Sequence, residues 1–187
     1  VAEKVEEIRS QDHYTEYGEL SDTYINAVIA GEDRRFRKHG GFDIISTGRA
    51  LLHNIKAGEL EQGGSTITQQ LARNMYFEQN KKLTRKVAEV LVAFEIEKEY
   101  DKDEILELYV NTIYFGSGYY NIYDASLGYF GKTPSQLSDY EATMLAGIPN
   151  APSVYDLNVN PDLAEQRRQQ VVDCMVDEGY IEEGEIA

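Results

Sequence analysis

Thr84-Arg85-Lys86-Val87-Ala88-Glu89-Val90-Leu91-Val92-Ala93-Phe94-Glu95-Ile96-Glu97-Lys98-Glu99-Tyr100 reads as one long helix with Thr84 as its cap. At about 100° per residue, Val87, Val90, Leu91 and Phe94 share one apolar face. Val92, Ala93 and Ile96 form a second, and Glu89 falls inside it. Apolar residues on two sides predict a central helix, buried all round. An ionised carboxylate in such a place is costly unless it is paired. Arg85, one turn earlier, is the local partner. The spacing alone leaves two readings open: a structural Glu89–Arg85 pair, or a carboxylate kept for chemistry.

Helix signals continue on both sides. Ser21 caps a helix carrying Ile25, Val28 and Ile29, whereas residues 1–20 form a polar lead-in with Tyr14 and Tyr17. Ile44, Ile45, Ala50, Leu51, Leu52 and Ile55 follow at helical spacing after Gly40-Gly41. Residues 58–64 are polar and glycine-rich, which predicts a mobile loop. Ser65 or Thr66 starts the helix of Ile67, Leu71 and Met75. Asp101 with Glu104, and Ser138 with Glu141, have the spacing of capping boxes. Gly147-Ile148-Pro149 ends the second of these helices, Pro161 opens the last long one, and Gly179 stops it. Residues 114–130 are rich in tyrosine and glycine, suited to loops and short helices that pack internally or on sugar or lipid. No strand-like alternation of useful length occurs, so the fold class is mainly α, and 187 residues suit one domain, 1–187.

Charge is unevenly placed. Residues 32–86 hold 11 Lys/Arg against 6 Asp/Glu; the remainder holds 7 against 27, within a net charge of −15. A basic segment in an acidic chain points to a local anionic ligand, and excludes a nucleic-acid partner, which would need a broad basic face. Three scattered histidines and one cysteine argue against structural zinc. Cys174, in an apolar helical setting, reads as a small buried side chain. No run of about 18 apolar residues occurs.

The basic segment begins at Gly31-Glu32-Asp33-Arg34-Arg35-Phe36-Arg37-Lys38-His39-Gly40-Gly41-Phe42-Asp43. Glu32 ends an apolar-faced helix, where partial desolvation raises a carboxylate's pKa and improves it as a base. The plainer alternative is a solvated Glu-Asp turn.

Taken together, these stretches resemble the peptidoglycan glycosyltransferases of glycosyltransferase family 51. The resemblance rests on five blocks in order: Glu32, Asp33, Phe36, His39 and Gly40; Gly63 to Gln70 as Gly-Gly-Ser-Thr-Ile-Thr-Gln-Gln; Arg85, Lys86 and Glu89; Ile105 to Asn111 with Tyr114-Phe115-Gly116; and Arg167-Arg168 with Val171. It spans nearly the whole chain. The membrane helix that usually precedes this domain is not in these residues, nor is the Ser-x-x-Lys motif of a transpeptidase half.

The resemblance implies a lysozyme-like helical lobe with a smaller membrane-proximal jaw, roughly residues 37–64. It implies polymerisation of lipid II at the extracytoplasmic face of the bacterial membrane, with inversion and release of undecaprenyl pyrophosphate. Glu32 would be the base and Glu89 the second family carboxylate, a residue that orients cations, assists the leaving group or helps hold a metal. Arg73, Lys81 and Arg85 match phosphate contacts, and Arg49 is a further candidate. Ser65, Gln69 and Gln70 are donors to phosphate or sugar oxygens, and Asp33, Phe36 and His39 join the substrate-binding set. No cofactor is required, although Mg²⁺ or Mn²⁺ is compatible. Expected partners are lipid II, the growing glycan strand, the membrane surface and other cell-wall synthesis proteins. A lysozyme-like hydrolase is the competing reading, because two carboxylates also serve glycosidases.

Overall fold

A computed structural model describes residues 1–57, 64–77 and 83–187. Among these, the chain forms ten α-helices joined by short 3-10 turns, with no strand: α1 (Ala2–Arg9), α2 (Asp22–Glu32), α3 (Ile44–Ala57), α4 (Ile67–Tyr76), α5 (Leu83–Glu99), α6 (Lys102–Val110), α7 (Ile122–Phe130), α8 (Asp139–Gly147), α9 (Pro152–Tyr155) and α10 (Pro161–Asp177). The mainly α class is as expected. The predicted 58–64 loop lies, but for Gly64, outside the described residues.

Local chemistry sets most of the helix starts. Ser21 accepts from the Tyr24 amide at the head of α2. Reciprocal capping boxes begin α4 (Thr66 and Gln69), α6 (Asp101 and Glu104) and α8 (Ser138 and Glu141). Thr66 rather than Ser65 is therefore the cap of α4. Two boundaries differ from expectation. Thr84 lies inside α5, which begins at Leu83. The supposed lead-in contains α1, whose Val5 and Ile8 are buried and which packs on α6. Two apolar residues one turn apart were too few to register as a helical pattern.

α2, α8 and α10 pack together, and α4 packs on both α5 and α6. The segment linking the two groups is the Glu32–Gly41 turn. Asp33 Oδ2 accepts from the Ile67 amide at 3.0 Å and from His39 Nε2 at 2.7 Å. His39 Nδ1 in turn accepts from the Gly41 amide at 3.1 Å, which assigns the ring proton to Nε2. Thr66 Oγ1 donates to the Gly41 carbonyl at 2.7 Å. Gly41 has φ +104°, and a Cβ there would sit 3.1 Å from the Ala93 carbonyl carbon, so only glycine lets the turn dock on α5. One turn thereby fixes the end of α2, the start of α4 and the middle of α5.

α5 itself corrects the two-faced reading. Glu89, Ala93 and Ile96 are fully buried, but Leu91 is 62% exposed, and Val87 and Phe94 are exposed as well. Helices α4 and α6 cover one side only. α3 is inverted in the same sense: Ile44 (76% exposed), Ile45, Leu51 and Leu52 face outward, while Ser46, Thr47 and Ala50 are half-buried. Its start is pinned by Asp43, which accepts from the Ile45 and Ser46 amides and pairs with Arg35 at 3.2 Å.

Candidate active site

An open cleft of about 2390 Å³ runs past the C-terminus of α2, with Glu32, Ser65, Gln70 and Arg73 in its wall. That exceeds the several hundred Å³ of an ordinary small-molecule pocket, and suits an extended ligand.

Glu32 is the last residue of α2, and its side chain is only 5% exposed. The carboxylate is therefore desolvated, and the alternative of a solvated Glu-Asp turn does not hold for it. Oε2 accepts weakly from Gln70 Nε2 at 3.4 Å, and Arg167 Nη2 lies 3.5 Å from Oε1, which has no hydrogen-bond partner among the described residues. Burial pushes the Glu32 carboxyl above its ordinary range; Arg167 and Gln70 oppose this, and Asp33 adds to it. A carboxylate so held is a stronger base than a solvated one, provided that it is ionised.

Arg167, on α10, belongs to the fifth block and lies outside the expected site set. It is anchored by Nε to the Gly147 carbonyl at 3.3 Å and by Nη2 to the Gly31 carbonyl at 3.4 Å. Gly147 is needed for this, because a Cβ there would lie 2.8 Å from Arg167 Cγ. Its neighbour Arg168 points away, bonded through Nε and Nη2 to Glu165 at 2.9 and 2.8 Å and stacked on Tyr140. Helical spacing could have told the two arginines apart only if the position of α2 had been known.

The second carboxylate stands behind a layer of cations. Arg73 donates to Glu89 from Nε at 2.9 Å and from Nη2 at 3.3 Å. Arg85 Nε lies 3.0 Å from Oε1 but off the hydrogen-bond direction, so its N–H has no acceptor among the described residues. Lys86 Nζ is 3.7 Å away and also donates to Ser65 Oγ. Arg85 was the anticipated partner of Glu89; Arg73, from α4, is the better-aligned one, and Lys86 was missed. Three cations around one carboxylate leave an excess of two positive charges among the described residues of the cleft wall. Burial draws the Lys86 ammonium below its ordinary pKa; Glu89 opposes this, and Arg73 and Arg85 reinforce it. An arriving anion would relieve that repulsion.

The remaining expected residues divide clearly. Ser65 holds Arg73 Nη2 at 3.4 Å, and Gln70 Oε1 accepts from Tyr109 at 3.1 Å, so both sit between the two carboxylates. Arg49, on α3, is exposed on the cleft wall. Phe36 is fully buried, with Lys102 Nζ 4.7 Å from its ring centre, and is core rather than a substrate contact. Asp33 and His39 are spent on the turn described above, and Gln69 is a fully buried cap. Lys81 lies outside the described residues. Cys174 is not buried as expected: it lines the cleft, 3.1 Å from Arg34 Nη2.

The Glu89 cluster does not fit a divalent cation. Both Glu89 oxygens already face cations, both bonds to Asp33 Oδ2 come from donors, and no group of three or more His, Cys, Asp or Glu is placed to hold a metal among the described residues.

The cleft thus joins a shielded carboxylate to a cluster of cations on a helical scaffold. The chain belongs to the transglycosylase family, whose model matches residues 2–176, and its class is therefore that of the peptidoglycan glycosyltransferases. Penicillin-binding protein 1A of Aquifex aeolicus (strain VF5) is 45% identical over 168 residues, which is 90% of this chain and 23% of that protein. Penicillin-binding protein 1A of Neisseria gonorrhoeae is 44% identical over 168 residues, 90% and 21%. Penicillin-binding protein 1F of Bacillus subtilis (strain 168) is 46% identical over 155 residues, 83% and 22%. The chain thus spans less than a quarter of the length of these relatives.

Proposed function

We propose that this domain polymerises lipid II into glycan strands. Glu32 takes the proton from the 4-hydroxyl of the acceptor N-acetylglucosamine as that oxygen attacks C1 of the donor N-acetylmuramic acid. The C1–O bond to undecaprenyl pyrophosphate breaks on the opposite face, so the anomeric centre inverts. The leaving pyrophosphate gains charge beside Arg73, Arg85 and Lys86, with Ser65 as a neutral donor and Arg49 on the same cleft wall; Lys81 is assigned to the anion site by the resemblance alone. Cations already in place stabilise that charge without reorganising. Glu89 positions them and does not touch substrate.

The observation that carries this reading is the pairing, in one cleft, of a base whose pKa is raised by burial with a cation cluster in excess over its carboxylate. A glycosidase has no pyrophosphate to hold. It also needs a second carboxylate facing the substrate, and Glu89 is turned into its cations. The test is incubation with lipid II, followed by separation of polymer from disaccharide and muropeptide. Polymer with released undecaprenyl pyrophosphate is expected; cleavage of preformed glycan alone would replace this reading with the hydrolase one.

Among the described residues no helix is long and apolar enough to cross a membrane. The outward apolar faces of α3 and α5 supply another attachment, and we place them against the extracytoplasmic leaflet that carries the substrate. Flotation with anionic-lipid vesicles should recover more of this chain than of an unrelated acidic protein.

A further inference from the structure

The fourth sequence block has no part in the proposed reaction, although its Tyr109 is linked to the base through a single side chain. Tyr109 is the second-last residue of α6, which packs on α4, and it is fully buried. Its backbone is fixed: the Tyr109 carbonyl accepts from the Thr112 and Ile113 amides at 3.0 and 3.1 Å, and from Thr112 Oγ1 at 3.1 Å. The phenol donates to Gln70 Oε1 at 3.1 Å. The Gln70 amide nitrogen is thereby turned to Glu32 Oε2, at 3.4 Å, and to the Ser65 carbonyl, at 3.5 Å.

The orientation of that amide follows from its neighbours. An ionised carboxylate and a backbone carbonyl can only accept, so both require the nitrogen. A phenol can donate, and of these three groups it alone can serve the amide oxygen. Burial raises the Tyr109 phenol well above its ordinary pKa, and the charge of Glu32 adds to this, so the phenol keeps its proton and remains a donor. Without the hydroxyl, Gln70 Oε1 loses its donor, and the amide is free to turn about its last, roughly two-fold torsion. Turned over, it sets a carbonyl oxygen against the Glu32 carboxylate, a repulsion in place of a bond.

We propose that Tyr109 is a positioning residue for the base: by holding the Gln70 amide, it keeps an N–H turned towards Glu32. The proposal rests on the glycosyltransferase reading for its effect on catalysis, but not for the linkage itself. The other charged or titratable groups acting on this link are Arg167 on α10, Asp33 on the adjoining turn, Tyr24 on α2 and Arg73 on α4. The buried residues of α8, which also packs on α2, run from Ala142 to Gly147, and none of them titrates. Tyr24 supplies a matched comparison. It too is buried and feels the charge of Glu32, but its hydroxyl has no hydrogen-bond partner among the described residues.

The experiment follows the Glu32 side-chain carboxyl by ¹³C NMR across pH in the full chain without ligand, the signal being assigned by its loss in Glu32→Gln. Tyr109→Phe keeps the packed ring and removes the donor, so the titration is expected to move to higher pH. Tyr24→Phe is expected to leave it in place. Gln70→Met, at a half-buried position, should move it in the same direction even if the Tyr109 variant does not fold. Tyr109→Phe added to Gln70→Met should move it no further. With lipid II, kcat/KM of Tyr109→Phe is expected to fall about three- to tenfold on the acidic limb, the usual worth of one such hydrogen bond, and to recover at alkaline pH. An unmoved titration in Tyr109→Phe or Gln70→Met, an equal shift in Tyr24→Phe, or a further shift in the double variant would overturn the proposal. A shifted titration in a protein that does not polymerise lipid II would keep the linkage and remove the glycosyltransferase reading; polymerisation with the titration unmoved would do the reverse.

Discussion

Glu32 and Glu89 are both buried carboxylates beside guanidinium groups, yet their surroundings act in opposite directions. Among the described residues, Glu32 has around it one arginine at 3.5 Å, itself tied to two backbone carbonyls, and one weak amide contact, and one of its oxygens has no hydrogen-bond partner. Around Glu89 there are three cations, of which Arg73 makes two aligned bonds. The first site leaves its carboxylate under-solvated, which is what the proposed base requires. The second engages its carboxylate with cations, whose excess charge is what the proposed anion site requires. Residue type is the same in both; what differs is how many charges the neighbouring helices deliver, and with what geometry.

The contrast is broken most directly at the base. Glu32→Gln keeps size but cannot accept the proton, and lipid II turnover should fall by about 10²–10⁴-fold with the circular dichroism spectrum unchanged. Near-normal turnover in this variant would move the base elsewhere.

Glu89→Gln should act chiefly through stability. Removing the charge leaves Arg73, Arg85 and Lys86 repelling one another, and unfolding free energy should drop by roughly 1–3 kcal/mol. Urea titration checks this. Lost turnover at unchanged stability would give Glu89 a direct part in the chemistry.

A smaller effect should appear in the pH profile. A base must be ionised to act, and the Glu32 pKa lies above the ordinary carboxylate range, so kcat/KM should rise with pH on a limb displaced upward from that range. Arg167 favours the ionised form. Arg167→Gln should therefore push the limb to still higher pH, with wild-type rates partly regained at alkaline pH. A limb that stays where it is would reduce Arg167 to a helix-packing residue.

The smallest expected effect concerns Glu32 and the melting temperature. Because the folded-state pKa is raised, the native protein binds this proton more tightly than the unfolded chain does. The ionised carboxylate therefore subtracts stability above its native pKa, and that loss fades as pH falls towards the unfolded value near 4.3. Glu32→Gln should melt higher than wild type at alkaline pH. The gain should vanish near pH 4. A lower melting temperature at pH 8 would mean that the Arg167 contact outweighs the burial of Glu32.

What could be read from the sequence follows the range of the forces involved. The cap at Ser21, the capping boxes at Asp101 and Ser138 and Pro161 at the start of α10 act over three or four residues, so spacing alone placed them. The ordered blocks from Glu32 to Val171 likewise made the family legible, and burial of Glu89 followed from its place among Ala93 and Ile96. Periodicity says which residues share a face; it does not say whether another helix comes to cover that face. The exposure of Leu91, the outward turn of Ile44 and the concealment of Phe36 were settled by packing between distant segments. So were Arg73 as the main partner of Glu89 and Arg167 as that of Glu32. A side chain on α4 or α10 finds its charge only after the chain has folded, since an ion pair depends on a few ångströms between atoms and carries no trace in the spacing of either helix.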